Sequence, residues 1–124
     1  DYTLTFRKLA DAEAPGAAGD DVKDTLGGGD AAAAWLSRWR ARLAGEAGGV
    51  ETRRALMRAA NPLFIARNHL VEEALAAATA SGDLRPFDEL VAVLQKPFDE
   101  QPGKERFALP PRADQIVHAT YCGT

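Results

Sequence analysis

The amino-acid sequence predicts an all-α fold: a roughly five-helix orthogonal bundle followed by an extended, Pro-rich carboxy-terminal tail. Apolar side chains recur with helical spacing in five segments of the 124 residues. No segment sustains the alternation of apolar and polar side chains that is typical of a β-strand. Four of the seven prolines lie at residue 97 or beyond it, and proline there ends the helical pattern.

Three helices are predicted in the first half of the chain. The first ends near residues 14–16, the second begins with Asp30 as its amino-terminal cap, and the third extends from Val50 to Ala60. Glycines between residues 45 and 49 separate the last two. The side chains predicted to face inward are Tyr2, Phe6 and Leu9, then Leu36, Trp39 and Leu43, and then Leu56, Met57 and Ala60.

Residues 15–29 are rich in Gly, Ala, Pro and Asp and predict a mobile loop, with room for one helical turn around residues 22–26. The Gly27-Gly28-Gly29 run has the composition of a phosphate-binding loop. Neither a preceding strand nor a following Lys-Ser/Thr pair accompanies it. A flexible linker is therefore the favoured interpretation.

Two further helices are predicted after Asn61. Pro62 is expected at the first position of the fourth helix, and Gly82 is expected to end that helix in the left-handed conformation. The fifth helix extends from Pro86 to just before Pro97 and has the clearest amphipathic pattern in the chain. The predicted apolar faces consist of Leu63, Leu70, Val71, Ala74, Leu75 and Ala78 in the fourth helix and Phe87, Leu90, Val91 and Leu94 in the fifth.

The pattern divides the chain into a helical accessory domain, residues 1–97, and an irregular tail, residues 98–124. The tail is too apolar for a free, solvated segment, so we expect it to pack on something. Its apolar side chains are Phe98, Phe107, Leu109, Ile116 and Val117. Because the chain begins at Asp1 already inside a helical pattern, we also expect it to be part of a longer polypeptide.

Composition argues against several classes of partner. A formal net charge of −3 disfavours a domain that mainly binds nucleic acid, and no apolar run reaches the length of a membrane span. A single cysteine suits a reducing compartment, and we expect the bacterial cytoplasm. Residues 35–68 contain seven arginines but only two acidic residues, whereas both flanks are acidic. Intramolecular or partner docking is expected to use that asymmetry.

Trp35 and Trp39 alternate with Arg38, Arg40 and Arg42, as in surfaces that stack bases and neutralise phosphates. An amphipathic helix with Trp39 in the core accounts for the same spacing. We favour the amphipathic helix, because the net charge opposes the nucleic-acid alternative.

His69 precedes Glu72 and Glu73 by three and four residues, so an imidazole and a carboxylate can share one helical face. A metal centre generally needs three or four protein ligands, and the other His and Cys residues, His118 and Cys122, lack the paired spacing of a zinc module. A surface histidine with local hydrogen bonds is favoured. We therefore predict no metal site.

Arg67-Asn68 is the more informative pair. Arg offers five donors in a fixed fork, and Asn is a poor helix former unless its side chain is used. Three roles are considered for this pair. We favour an internal clamp in which Arg67 pairs with an acidic group of the turn around Asp99 and Glu100. Docking to another domain is the second choice, and direct contact with a ligand is the third.

Residues 61–74, residues 96–102 and the end of the chain around Cys122 are polar where core packing alone would not require it. Together with residues 1–9 and 35–43, they resemble the carboxy-terminal region of the selenoprotein O family, also called YdiU, of kinase-like protein adenylyltransferases. The resemblance is most specific in two motifs. These are Asn61, Pro62, Arg67 and Asn68, and then Pro97, Phe98, Asp99, Glu100, Gln101 and Pro102.

The resemblance implies a longer parent protein that transfers AMP from ATP to protein hydroxyls, with ATP and Mg²⁺ or Mn²⁺ as cofactors. Its partners would be protein substrates and, for this region, the kinase-like domain of the same polypeptide. Some members carry selenocysteine at the position matching Cys122, which implies a redox or regulatory thiol there. After Pro110-Pro111, however, the chain lacks the Trp-Gly of many members, so the docking of its tail is expected to differ.

None of the family's nucleotide-binding or metal-binding motifs can be placed in these residues, so neither a catalytic residue nor a bound cofactor is predicted within the chain. We interpret the chain as an accessory region that braces the kinase-like domain and positions Cys122. The alternatives are a free-standing helical interaction module and, least favoured, a small metal-dependent enzyme built around His69.

Overall fold

The computed structural model describes residues 1–13 and 17–119, and for residues 17, 18 and 20 it describes the backbone alone. These residues form six α-helices and two short 3-10 helices, with no strand among them. The all-α class is therefore confirmed, with one α-helix more than expected. None of the helices in the described ranges is long and apolar enough to cross a membrane.

Contacts divide the chain into two compact units, Asp1–Leu63 and Phe64–Thr124, which we call unit 1 and unit 2. The predicted boundary at residue 97 does not coincide with this division. The described part of the tail makes hydrogen bonds within unit 2, through Gln101 for example. That residues 98–124 act as a separate tail stays a prediction.

Unit 1 contains the helices α1 (Tyr2–Leu9), α2 (Ala17–Thr25), α3 (Gly29–Leu43) and α4 (Val50–Ala60). Helix α1 packs against α2 and α4, and α2 also packs against α3. The core cluster consists of Leu9, Ala12, Val22 and Leu36, with Phe6, Trp39 and Met57 packed against it. Helix α4 has the predicted bounds, whereas α1 ends earlier than expected, at Leu9.

Helix α2 corrects the prediction of a mobile loop at residues 15–29. The side chain of Val22 is fully buried in the core cluster, and this burial offsets the poor helix propensity of Gly and Asp in the segment. Gly28, with a φ of 70°, precedes α3 and takes the cap position that was predicted for Asp30. Asp30 lies instead in the first turn of α3.

The predicted inward faces of unit 1 are correct for Leu9, Leu36 and Leu43, which are buried. They are wrong for Tyr2 and Leu56, which are 79% and 66% exposed. The helical spacing of apolar residues gave the wrong orientation for Leu56. Its neighbours Arg54 and Arg58 both contact Asp11, so their side of α4 faces the segment that follows α1. A pattern of apolar residues alone does not contain that information.

Unit 2 contains α5 (Asn68–Ser81) and α6 (Arg85–Leu94), which pack against each other, and the 3-10 helices η1 (Glu105–Phe107) and η2 (Ala113–Gln115). Gly82 ends α5 with a φ of 69°, as predicted. Helix α5 begins later than predicted, since residues 62–67 are not helical. The cause is a long-range contact: the N–H of Phe64 donates to the carbonyl of Pro97 over 3.1 Å, and the Phe64 side chain is buried.

Helix α6 and the residues after it also differ from the prediction. Leu90 and Val93 are the buried residues of α6, whereas Phe87 and Val91 are 52% and 37% exposed. Helix α6 therefore has both buried and exposed apolar side chains.

The extended conformation predicted for the tail is not confirmed. Residues 98–119 contain turns and the two 3-10 helices, and Phe107 is buried.

Candidate functional site

The candidate site lies in unit 2, where residues 64–69 lead into α5 beside the turn that follows α6. The N–H of Phe64 bonds the Pro97 carbonyl, which holds the beginning of this segment against that turn. The carbonyl of Arg67 accepts the N–H groups of Leu70 and Val71 at 2.9 and 3.1 Å, which starts α5. The backbone thus fixes both ends of the segment that carries Arg67.

Arg67 is only 7% exposed, which is unusual for an arginine. Burial lowers the pKa of its guanidinium, because removal from water disfavours the charged form. Asp99 and Glu100, the acidic groups predicted to pair with it, are both exposed residues of the turn. The clamp between Arg67 and this turn stays a prediction.

Gln101 attaches the turn to the end of α6. Its side-chain amide donates to the carbonyl of Val93 at 3.0 Å and to that of Lys96 at 2.9 Å. The N–H of Asp99 also donates to the Lys96 carbonyl, at 3.2 Å. These bonds involve carbonyls at and just beyond the end of α6, where a helix leaves its carbonyls without helical partners, so Gln101 holds the turn against the end of α6.

His69 lines a hollow of about 290 Å³ together with Asn68 and Gln115. Burial lowers the pKa of the imidazole, and the positive charges of Arg67, Arg112 and Arg106 act in the same direction against the opposing effect of Glu73. Within the described ranges, no three His, Cys, Asp or Glu side chains come together in a group that could hold a metal ion.

Asn61 and Pro62 belong to unit 1, whereas the other predicted motif residues belong to unit 2. The Asn61 side chain donates to the Met57 carbonyl at 2.7 Å, and the Asn61 carbonyl accepts from Arg7 at 3.1 Å. Asn61 thus ends α4 and does not cap a helix beginning at Pro62. Cys122 lies outside the described residues.

The charged contacts of unit 1 were foreseen only as a charge asymmetry. Asp11 accepts hydrogen bonds from Arg54 and Arg58, and Glu13 accepts them from Arg53. All three arginines come from the basic segment and both carboxylates from its acidic amino-terminal flank. Intramolecular use of the asymmetry is therefore confirmed, while the individual partners were not predictable.

Arg7 makes a long-range contact that the sequence did not reveal. It is 6% exposed and donates through Nη1 to the carbonyls of Arg58 and Asn61 at 3.0 and 3.1 Å. The only sequence signal is its position in α1, one residue after Phe6 and two before Leu9, on the edge of the apolar stripe.

Comparison with curated proteins shows similarity along all of the chain. The chain is 52% identical over 125 residues to the protein named protein nucleotidyltransferase YdiU of Cereibacter sphaeroides strain ATCC 17025, and 45% identical over 130 residues to that of a Bradyrhizobium species, strain BTAi1. It is 43% identical over 124 residues to the one of Rhizobium johnstonii. The chain is thus similar along its whole length to part of proteins named YdiU. No family model matches it.

The match covers 100% of the chain but only 24–25% of each YdiU relative, so the chain spans about a quarter of their length. The predicted family resemblance is confirmed by these matches. For the candidate site, the YdiU relationship supplies context: Arg67 and the turn held by Gln101 correspond to part of a much larger polypeptide in the relatives.

Proposed function

We propose that the chain is the carboxy-terminal helical region of a selenoprotein O-like protein nucleotidyltransferase, where it braces the kinase-like domain of the same polypeptide. One observation carries the proposal: similarity of 41–52% identity extends over the whole chain, yet the chain spans only a quarter of each relative. The remaining three quarters of such a protein would hold the nucleotide chemistry.

The parent protein would transfer AMP from ATP to protein hydroxyls, using ATP with Mg²⁺ or Mn²⁺, in the bacterial cytoplasm. We assign no catalytic residue to the 124 residues. They would contribute a rigid surface against which the kinase-like domain packs. Buried Phe64 and Phe107 and the bonds of Gln101 support such rigidity in unit 2.

Cys122 would add a regulatory thiol near the carboxy terminus, paired during oxidation with a cysteine of the catalytic domain. Replacing it by Ser in the protein made from the complete reading frame is expected to abolish the difference in AMP transfer between reduced and oxidised samples. An equal difference in the variant would discard the role of this thiol while leaving the bracing role intact.

The test of the main proposal compares two proteins: the product of the complete reading frame and the 124-residue chain alone. Both receive ATP labelled at the α-phosphate, with Mg²⁺ or Mn²⁺, and label on protein is measured. We expect transfer by the first and none by the second. Transfer by the chain alone would contradict the proposal, and a start codon directly before Asp1 would favour a free-standing interaction module.

A further inference from the structure

An apolar groove of about 350 Å³ lies between α5 and α6 in unit 2. Helix α5 contributes Val71, Leu75 and Ala78, and Leu84, Phe87 and Leu90 line the opposite side. Asp88 is the one charged residue in its lining. The groove is separate from the hollow beside Arg67, with which it shares no lining residue.

The side chains at the rim of the groove are large, apolar and half exposed. Leu75 is 48% exposed, Leu84 56% and Phe87 52%. Single exposed apolar residues are ordinary on a protein surface, but a contiguous patch around a groove usually marks an interaction site. Leu84 immediately precedes α6, and Phe87 lies in its first turn.

Four charged side chains elsewhere in unit 2 have partners within the unit. Lys104 Nζ lies 2.7 Å from a carboxylate oxygen of Glu89, and Arg106 lies between Glu73 and Glu89 at 3.2 and 3.5 Å. These ion pairs cover a different surface from the groove, since none of the four residues lines it. These ion pairs therefore leave the apolar rim of the groove uncovered.

We propose that this groove seats an apolar segment from the rest of a YdiU-type polypeptide, and the inference rests on the function proposed above. The chain spans only a quarter of its relatives, so about three times its own length of polypeptide would be attached to it. Attachment raises the effective concentration of such a segment to about the millimolar range. Attachment therefore lowers the affinity that the groove itself has to supply.

A second copy of the chain fits the groove less well. A two-fold axis would place groove against groove, and a concave surface does not fill itself. The same axis would also bring two copies of Asp88 towards each other, and like charges across an interface oppose association. We therefore expect a partner with a convex surface and without an acidic side chain opposite Asp88.

The occupant can be described by its chemistry. Two packed helices that present Leu75 on one side and Phe87 on the other form the kind of groove that accepts the apolar side of a third helix, with anchors at i, i+3 or i+4, and i+7. A Lys or Arg beside those anchors would lie near Asp88. An amphipathic helix with one basic flank is thus the expected partner.

Cysteine labelling tests this in the protein made from the complete reading frame. Phe87→Cys and, as a second reporter, Leu84→Cys are each treated with a thiol reagent, and labelling at that position is followed by mass spectrometry of the peptide. Leu109→Cys is the matched control, because Leu109 is 57% exposed in the same unit and lies outside the groove. The same variants of the 124-residue chain supply the reference rates, with helical content measured by circular dichroism.

We expect labelling at positions 84 and 87 to be at least about tenfold slower in the complete protein than in the chain, a difference of ~1.4 kcal/mol in accessibility, with position 109 changed less than about twofold. Equal rates at all three positions would overturn the groove assignment, as would equal slowing at all three. Slowing in the 124-residue chain that grows with its concentration would assign the groove to a second copy instead. AMP transfer, measured separately, distinguishes failure of the groove from failure of the proposed function.

Discussion

The two units are of similar length but are stabilised by different interactions. In unit 1, side-chain ion pairs connect distant parts of the sequence: Asp11 contacts Arg54 and Arg58, and Glu13 contacts Arg53. In unit 2, a backbone bond from Phe64 to Pro97 and the burial of Phe64 and Phe107 accompany the more exposed ion pairs of Lys104 and Arg106 with Glu73 and Glu89. Unit 1 has no buried Phe, Trp or Tyr among its described residues.

This difference assigns different sensitivities to the two units. Ion pairs weaken when a carboxylate is protonated or when salt screens the charges, whereas burial of apolar surface does not depend on either. Because the ion pair between Arg53 and Glu13 in unit 1 is less exposed than those of unit 2, unit 1 should respond more strongly to charge changes, and unit 2 more strongly to changes of aromatic side-chain volume. The following variants test that contrast.

The largest effect is expected from Phe107→Ala in unit 2. Phe107 is 2% exposed, and truncating a buried Phe typically costs about 3–5 kcal/mol through lost burial and the cavity left behind. Hydrogen exchange should show lost protection in α5 and α6. Phe98→Ala, at a residue 43% exposed, is the matched control and should cost much less. Equal losses in the two variants would show that residues 105–108 do not anchor the unit.

Asp11→Asn should have the next largest effect, this time in unit 1. The change removes the negative charge that Arg54 and Arg58 contact, and hydrogen bonds to charged groups contribute about 1.5–3 kcal/mol each in favourable cases. With its side chain 32% exposed, we expect about 1–2 kcal/mol in chemical denaturation. Asp21→Asn is the control, because that carboxylate is 72% exposed and 3.8 Å from Lys8.

The Asp11 effect should also depend on pH in a defined direction. Burial raises the pKa of Asp11, but Arg58 and Arg54 outweigh burial and hold it below its ordinary value of 3.8. A carboxylate whose pKa is lower in the folded than in the unfolded state contributes its full stabilisation at pH values above the unfolded-state pKa. This stabilisation is lost as the pH falls through the folded-state pKa. The stability difference between the natural chain and Asp11→Asn should thus shrink below pH 3.8. A difference that grew on acidification would contradict this assignment.

Gly82→Ala tests a backbone contribution that involves neither charge nor volume. Gly82 has a φ of 69°, and a Cβ there would meet nothing within 4 Å, so only the left-handed conformation opposes the change. We expect a loss of about 1–2 kcal/mol, measured by thermal unfolding. Gly45→Ala, at a position without a positive φ, should be close to neutral. Neutral behaviour at position 82 would mean that the turn rearranges.

Gln101→Ala should give the smallest effect. It removes the amide that bonds the carbonyls of Val93 and Lys96, and a neutral hydrogen bond contributes about 0.5–1.5 kcal/mol. Faster hydrogen exchange should be confined to residues 96–104. Gln95→Ala, at the exposed residue that directly follows α6, provides the comparison. Unchanged hydrogen exchange after Gln101→Ala would show that contacts other than those of Gln101 hold the turn in place.

Local signals in the sequence were sufficient where local chemistry decides the structure. The bounds of α4 and the glycine that ends α5 were predicted correctly, since caps and breakers act within a few residues. The start of α5 and the existence of α2 were not. Phe64 bonds Pro97 and Val22 fills a core built from three other segments, and neither contact is visible from neighbouring residues.

The candidate site was predictable to a similar degree. The sequence singled out Arg67 and Gln101, and the structure places both in unit 2, Arg67 buried and Gln101 bonded to the end of α6. It did not reveal Arg7, whose partners are backbone carbonyls more than fifty positions away. Backbone acceptors carry no residue-specific signal, so a contact of this kind cannot be inferred from side-chain types.

The contacts of Arg7 matter for truncation of the chain at its amino-terminal end. Its guanidinium reaches the carbonyls of Arg58 and Asn61, where the final turn of α4 comes to an end. A shortened version that starts after residue 9 would lose this cation, together with the side chain of Leu9. Helix α1 therefore supplies a distant cap for the carboxy-terminal end of α4 (Val50–Ala60).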